Sequence, residues 1–348
     1  MAGFLTRLLG SASSKLRRAR QLIEEGKRAE AFPLLASAAG EGIAEAEFLV
    51  GRCYLEGSGV PPNSMEGARW LERAAQKGFV DAQSLLGSLL VHGVAGARVG
   101  GKQGGITSRS LANAMFSGQS EAKPDWEGAA LWARKAAQNG SSEGQALLAY
   151  ILTSGPESLR NPGEALQLYE RSAAANCPQG CLGYALAKMG QPHAGNDDGL
   201  IADLLARAAG AGLGTAQYLL GVITEQGVGV IADPAVAADL YRQAAEKGVR
   251  SGQARYGRAL MEGIGVPVDV VAGESWLRRA ALQGDPEAAA VVGDIYARGG
   301  ALPPNHAEAA MWFRRAAEAG HKTAARALGL LYLTGAGVPR DPQEAARW

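Results

Sequence analysis

The sequence predicts an all-α solenoid of stacked helix pairs, and three observations predict it. A large landmark residue, four positions before a small pair, recurs at Leu34, Trp70, Trp132, Leu168, Leu204, Leu240, Trp276, Trp312 and Trp348. All successive separations are 36 residues except one of 62, which is 36 plus an insertion of 26. Self-similarity at a fixed period of this length marks a repeat architecture, in which each unit buries its apolar stripe against its neighbours. An Asp or Asn stands seven positions before every landmark after the first, and a Gly (once Asn176) eight positions after it. The first is N-cap chemistry and the second suits the left-handed residue that ends a helix.

Each element follows from these landmarks. A leading helix is predicted over residues 14–25, with Leu16, Ala19 and Leu22 on one face and Arg17, Arg18 and Arg20 outward. The A helices start at Asn63, Asp125, Asn161, Asp197, Asp233, Asp269, Asn305 and Asp341, with Pro162, Pro234 and Pro342 at the first helical position. A missing N–H is harmless there. A small residue, the landmark and an Ala pair such as Ala74/Ala75 then follow at spacings of three and four, along one helical stripe that fills the space between the helices. The B helices begin near Ala46, Ala82, Gly144, Gly180, Ala216, Gly252, Ala288 and Ala324 and carry Leu-Gly or Tyr-Gly steps that let backbones approach. Turns of Gly-x-Gly-Val type close the units at residues 57–60, 227–230, 263–266 and 335–338. The third and fourth repeats depart most: Ala149 replaces the B-helix glycine, and residues 190–196 replace the turn.

These motifs resemble the Sel1-like repeat family, a relative of the tetratricopeptide repeats. The fullest match runs from Ala309 through Trp312, Ala316, Ala317 and Gly320 to Leu328-Gly329, Tyr332 and Gly335-Ala336-Gly337-Val338. The resemblance implies a right-handed α/α superhelical solenoid. It predicts residues 1–28 as an N-terminal segment and capping helix, and residues 29–348 as about eight repeats plus the start of a ninth, with an inserted loop at 93–125. It also implies a protein–protein interaction scaffold or adaptor gripping a partner peptide or protein in a concave groove lined by the A helices. The Arg-, Ala- and Gly-rich composition points to a bacterial source, and the three sparse cysteines to a cytoplasmic location.

Composition and motifs exclude much else. With 35 basic and 34 acidic residues the formal net charge is +1, so no global field points to nucleic acid. No run of eighteen apolar residues exists to span a membrane, and residues 1–10 lack a signal-peptide core. Cys53, Cys177 and Cys181 form no disulfide framework or zinc pattern, and read as small buried thiols. His92, His193, His306 and His321 share no helix face with nucleophile or metal partners, so catalytic, metal and cofactor sites are all expected to be absent. Gly96-x-x-x-x-Gly101-Lys102 approximates a phosphate loop, but Gln103 stands where Ser or Thr is required and no strand precedes it. Residues Leu111 to Phe116 of the insertion could form a short amphipathic turn.

Basic residues recur just after the landmark: Arg73, Arg134/Lys135, Arg171, Arg207, Arg242, Arg278/Arg279 and Arg314/Arg315. They read either as a surface for acidic partner segments or as cations that pack over neighbouring helices and pair with Glu66, Glu72, Glu274 and Glu308. Helical geometry exposes the position before the landmark and those two and three after it. This predicts a partner-binding face of Arg69, Glu72, Arg73, Leu131, Arg134, Asp203, Arg207, Asp239, Arg242, Ser275, Arg278, Met311 and Arg314. Because the sequence ends on a landmark in mid-repeat, the native chain is expected to continue past Trp348. The second functional reading is therefore an N-terminal targeting or substrate-recruiting arm of a larger enzyme.

Overall fold

The computed structural model describes residues 2–93, 123–191, 197–299 and 303–348. Among them are eighteen α-helices, one 3-10 turn (Glu157–Leu159) and no strand. The chain divides into two compact units, Met1–His193 and Ala194–Trp348.

The first unit opens with α1 (Ala2–Glu24), followed by α2 (Arg28–Gly40), α3 (Ala44–Glu56), α4 (Ser64–Gln76), α5 (Val80–His92), α6 (Trp126–Gln138), α7 (Ser142–Ser154), α8 (Pro162–Ala174) and α9 (Pro178–Met189). The even-numbered helices are the A helices, and each packs against the helix before it, which is the leading helix for α2 and a B helix for the others, and against the B helix after it. The leading helix starts earlier than the predicted residue 14 and packs against α2. Leu16, Ala19 and Leu22 are buried against α2, and Lys15 pairs with Glu41 at 2.6 Å. The second unit repeats the pattern with α10 (Asp198–Gly210), α11 (Gly214–Gln226), α12 (Pro234–Glu246), α13 (Arg250–Glu262), α14 (Val270–Leu282), α15 (Pro286–Arg298), α16 (His306–Glu318), α17 (Lys322–Thr334) and the short α18 (Pro342–Arg347).

The caps do what their chemistry requires. Asn63, Asp125, Asn161, Asp233, Asp269, Asn305 and Asp341 accept from backbone N–H groups of the first turn, each satisfying donors that the helix cannot. Asp197 is the exception, lying in helical conformation with no capping bond from its side chain to the first turn. Every predicted C-terminal glycine, from Gly42 to Gly320, has positive φ, and so does Asn176 at 59°. Just past that residue a backbone N–H returns to the first member of the Ala pair, as Phe79 does to Ala74 at 3.1 Å, closing a Schellman turn. The insertion leaves this register intact. Asp125 N–H donates to Leu90 O at 2.9 Å, the bond that Asn63 makes to Tyr54 in the uninterrupted repeat. Residues 94–122, with the near-phosphate loop and the 111–116 segment, lie outside the described residues.

One packing expectation is corrected. The landmark fills the deep space in only part of the array: Leu168, Leu204, Leu240 and Trp312 are buried, whereas Leu34, Trp70, Trp132 and Trp276 are only half-buried. The following residue is buried as well, with Leu35, Leu71, Leu205, Leu277 and Phe313 all nearly or fully buried. At Leu71, Leu277 and Phe313 it enters a glycine hole in the preceding B helix. A Cβ on Gly257 would lie 2.8 Å from Leu277 Cγ and 2.9 Å from the Gly273 carbonyl, so only glycine admits the large side chain at this crossing. The Gly-x-Gly turns have an equally specific cause. Gly265 has φ of +70°, and a Cβ there would overlap the backbone of Pro234 at the start of the same repeat's A helix.

Candidate partner-binding face

The predicted face lies on the A helices, whose caps and buried Ala pairs fix the direction of every remaining side chain. Arg69, Glu72, Arg73, Leu131, Arg134, Asp203, Asp239, Ser275, Met311 and Arg314 are exposed. Arg207, Arg242 and Arg278 are only half-buried, and their charges explain why. Arg207 pairs with Asp203 at 3.5 Å, and Arg242 with Asp239 at 2.5 Å and Glu246 at 2.8 Å. The Arg242 guanidinium holds the Asp239 carboxyl below the usual carboxylate range.

Arg278 is the most committed of them. It pairs with Glu274 at 2.8 Å on its own helix and with Glu308 at 2.9 Å on the next A helix, and it donates to the Tyr296 hydroxyl. Its guanidinium also stands 5.5 Å from the rings of both Tyr296 and Trp312. A side chain held this way joins two repeats. The same logic governs Arg73, which forms an ion pair at 2.9 Å with the fully buried Glu47, whose other oxygen forms an ion pair with Lys77 at 2.9 Å. Arg73, Lys135 and Arg279 each lie over the landmark Trp one turn earlier, at 4.4, 4.3 and 4.5 Å from the ring centre. Much of the basic ladder is thus mortar, and half-exposed tryptophans are its seats. Arg69 pairs with Glu66 at 2.6 Å, while Glu72 accepts from Gln76 at 3.4 Å.

A second polar row escaped the sequence reading. The fourth residue of the B helix is Glu47, Gln83, Gln217 or Gln253, all buried. Gln83 donates to Ala75 O at 3.1 Å and Gln253 to Ala245 O at 3.4 Å, each reaching the end of its own repeat's A helix. Their carbonyl oxygens accept from Asn139 at 3.2 Å and Gln283 at 3.0 Å, which end the next A helix. The signal was present, since these residues stand thirteen positions after a landmark.

The reactive side chains are quiet. Burial pushes the Cys53 thiol up to about 11 and also raises Cys177. His92 is buried, which lowers its basicity, and its Nδ1 lies 3.0 Å from Ser88 O. His321 caps α17 by accepting from Ala324 N–H at 3.1 Å, while its Nε2 meets Glu287 at 3.0 Å. His193 lies outside the described residues. Among the described residues, no group of three or more His, Cys, Asp or Glu is placed to hold a metal ion, and no helix is long and apolar enough to cross a membrane.

Comparison with known proteins agrees with this architecture. No curated protein matches the chain. Among solved structures, a Sel1 repeat protein from Oxalobacter formigenes is 28% identical with a TM-score of 0.54, the match covering 99% of this chain and 87% of that one. The antigen c5321, described as protective and present in uropathogenic Escherichia coli strains with an SLR fold, is 28% identical with a TM-score of 0.57, covering 99% and 78%. The Sel1 repeat model matches residues 44–79, 110–141, 142–177, 214–249, 250–285, 286–321 and 323–348, leaving the irregular stretch 178–213 unmatched. The chain belongs to the Sel1 repeat family, whose members generally act as protein–protein interaction scaffolds.

Proposed function

We propose that this protein is an adaptor that binds a partner peptide or protein along the exposed face of its A helices, in the groove that such an array forms. One observation carries the reading. The position before the landmark is exposed at Arg69, Leu131, Asp203, Asp239, Ser275 and Met311, and its chemistry changes from repeat to repeat while the pair four and five positions after the landmark stays Ala-Ala, once Ser172-Ala173. A fixed frame presenting a variable surface is suited to recognising an extended or helical segment. Mixed signs and apolar residues on that surface favour a polypeptide over a phosphate backbone.

The test is affinity capture with the intact protein. It is repeated with Arg69→Glu, Asp203→Arg and Asp239→Arg combined, and with Ile231→Ser, at a turn residue 91% exposed, as control. Loss of the captured partner with the first variant and retention with the second is expected. A partner that ignores the A-helix changes would overturn the assignment.

A further inference from the structure

We propose that each unit carries one anchor for an acidic partner segment that bears a large apolar residue: Leu131 with Arg134 and Lys135 in the first unit, and Met311 with Arg314 and Arg315 in the second. The proposal rests on the scaffold reading and deepens it by naming the partner's chemistry.

The argument comes from comparing equivalent positions. Arginine stands two residues after the landmark at Arg134, Arg242, Arg278 and Arg314. Where the residue before the landmark is polar, as at Asp239 and Ser275, that arginine is neutralised internally by Asp239 and Glu246, or by Glu274 and Glu308. Where it is a large apolar residue, Leu131 at 53% exposure or Met311 at 65%, the arginine has no carboxylate partner among the described residues. The next position adds a second cation in both cases. Lys135 lies over the Trp132 ring, and Arg315 is tethered at 2.8 Å to Leu282 O, each without a carboxylate partner among the described residues. Arg314 donates to the Tyr332 hydroxyl.

Spacings of three and four place each trio on one helix face. The neighbouring Trp, Tyr and carbonyl groups hold Lys135, Arg314 and Arg315 in place while leaving their charge uncompensated. Apolar contact and a counter-charge are then what each trio lacks, and a segment combining Asp or Glu with Leu, Ile, Met or Phe supplies both. Two cations per site form too small a field for nucleic acid.

Selection of random twelve-residue peptides displayed on phage, using the full chain, tests this. Enriched peptides are expected to place Asp or Glu beside a large apolar residue. A synthetic enriched peptide should bind about tenfold more weakly to Arg134→Gln/Arg314→Gln and to Leu131→Ser/Met311→Ser, and more weakly at high salt. Circular dichroism and thermal melting confirm that these surface variants fold. Enriched peptides that lack acidic residues, or that bind the variants unchanged, would overturn the anchors while leaving the scaffold reading intact. Failure to enrich any peptide would overturn both.

Discussion

Leu277 sits over Gly257 of the preceding B helix, with no room for a methyl group between its Cγ and the glycine backbone. A large residue in a glycine hole recurs along the chain and sets how closely successive repeats approach. Gly257→Ala is expected to destabilise the protein by about 1–3 kcal/mol through overpacking, despite alanine's better helix propensity. Gly210→Ala, at a helical position with nothing within 4 Å, is expected to stabilise it by roughly 0.5–1 kcal/mol. Urea midpoints of the two variants check the contrast.

The buried glutamine row makes a second prediction. Gln253→Ala removes the donor to Ala245 O and the acceptor for Gln283, and is expected to cost about 1–2 kcal/mol. Equilibrium unfolding measures this, and Gln283→Ala should share part of the loss, with a positive coupling in a double-mutant cycle.

Arg278 and Arg134 occupy equivalent positions yet should respond differently to charge reversal. Arg278→Glu would place a third carboxylate beside Glu274 and Glu308, and a loss of roughly 1–3 kcal/mol is expected. Arg134→Glu, on an exposed side chain, should stay within about 0.5 kcal/mol of the parent. Thermal melts of both variants decide the matter.

The depressed basicity of His92 gives a pH dependence with a definite sign. Folding keeps this imidazole neutral by burial, so the unfolded chain binds the proton more readily. Stability should therefore fall as pH drops through the ordinary histidine range near 6.5, and level off below the depressed folded value. His92→Gln should lose less stability than the parent between pH 7.5 and 5.5, as read from urea midpoints.

Thiol chemistry supplies a further check. With Cys53 pushed up to about 11, Cys177 raised and Cys181 buried, labelling by iodoacetamide at pH 8 should be slow in the folded protein and complete in denaturant.

Local chemistry was legible in the sequence because caps and C-terminal turns depend on residues close in the chain. Asn63, Asp269 and Gly78 announce their roles by type and spacing alone. The core stripe was read too narrowly, since Leu204-Leu205 and Trp312-Phe313 put two large side chains side by side and both of each pair are buried. At Trp70-Leu71 and Trp276-Leu277 the glycine opposite decides which of the two goes deeper. Pairing across repeats was also beyond spacing rules. Glu47 with Lys77 and Gln253 with Gln283 lie 30 residues apart and meet only when helix pairs stack. The thirteen-residue face was drawn from helical geometry, and the pairing of the basic ladder with Glu274 and Glu308, which Arg278 makes, was legible as well.

Labelling of single surface cysteines tests the central claim most directly. Cysteines introduced at Arg69, Leu131, Asp203, Asp239, Ser275 and Met311, or at the exposed turn residues Ile231 and Val268, are labelled with and without the captured partner. Protection along the A helices with the turn cysteines still reactive is the predicted result. Protection at Ile231 and Val268, with the A-helix cysteines fully reactive, would contradict it.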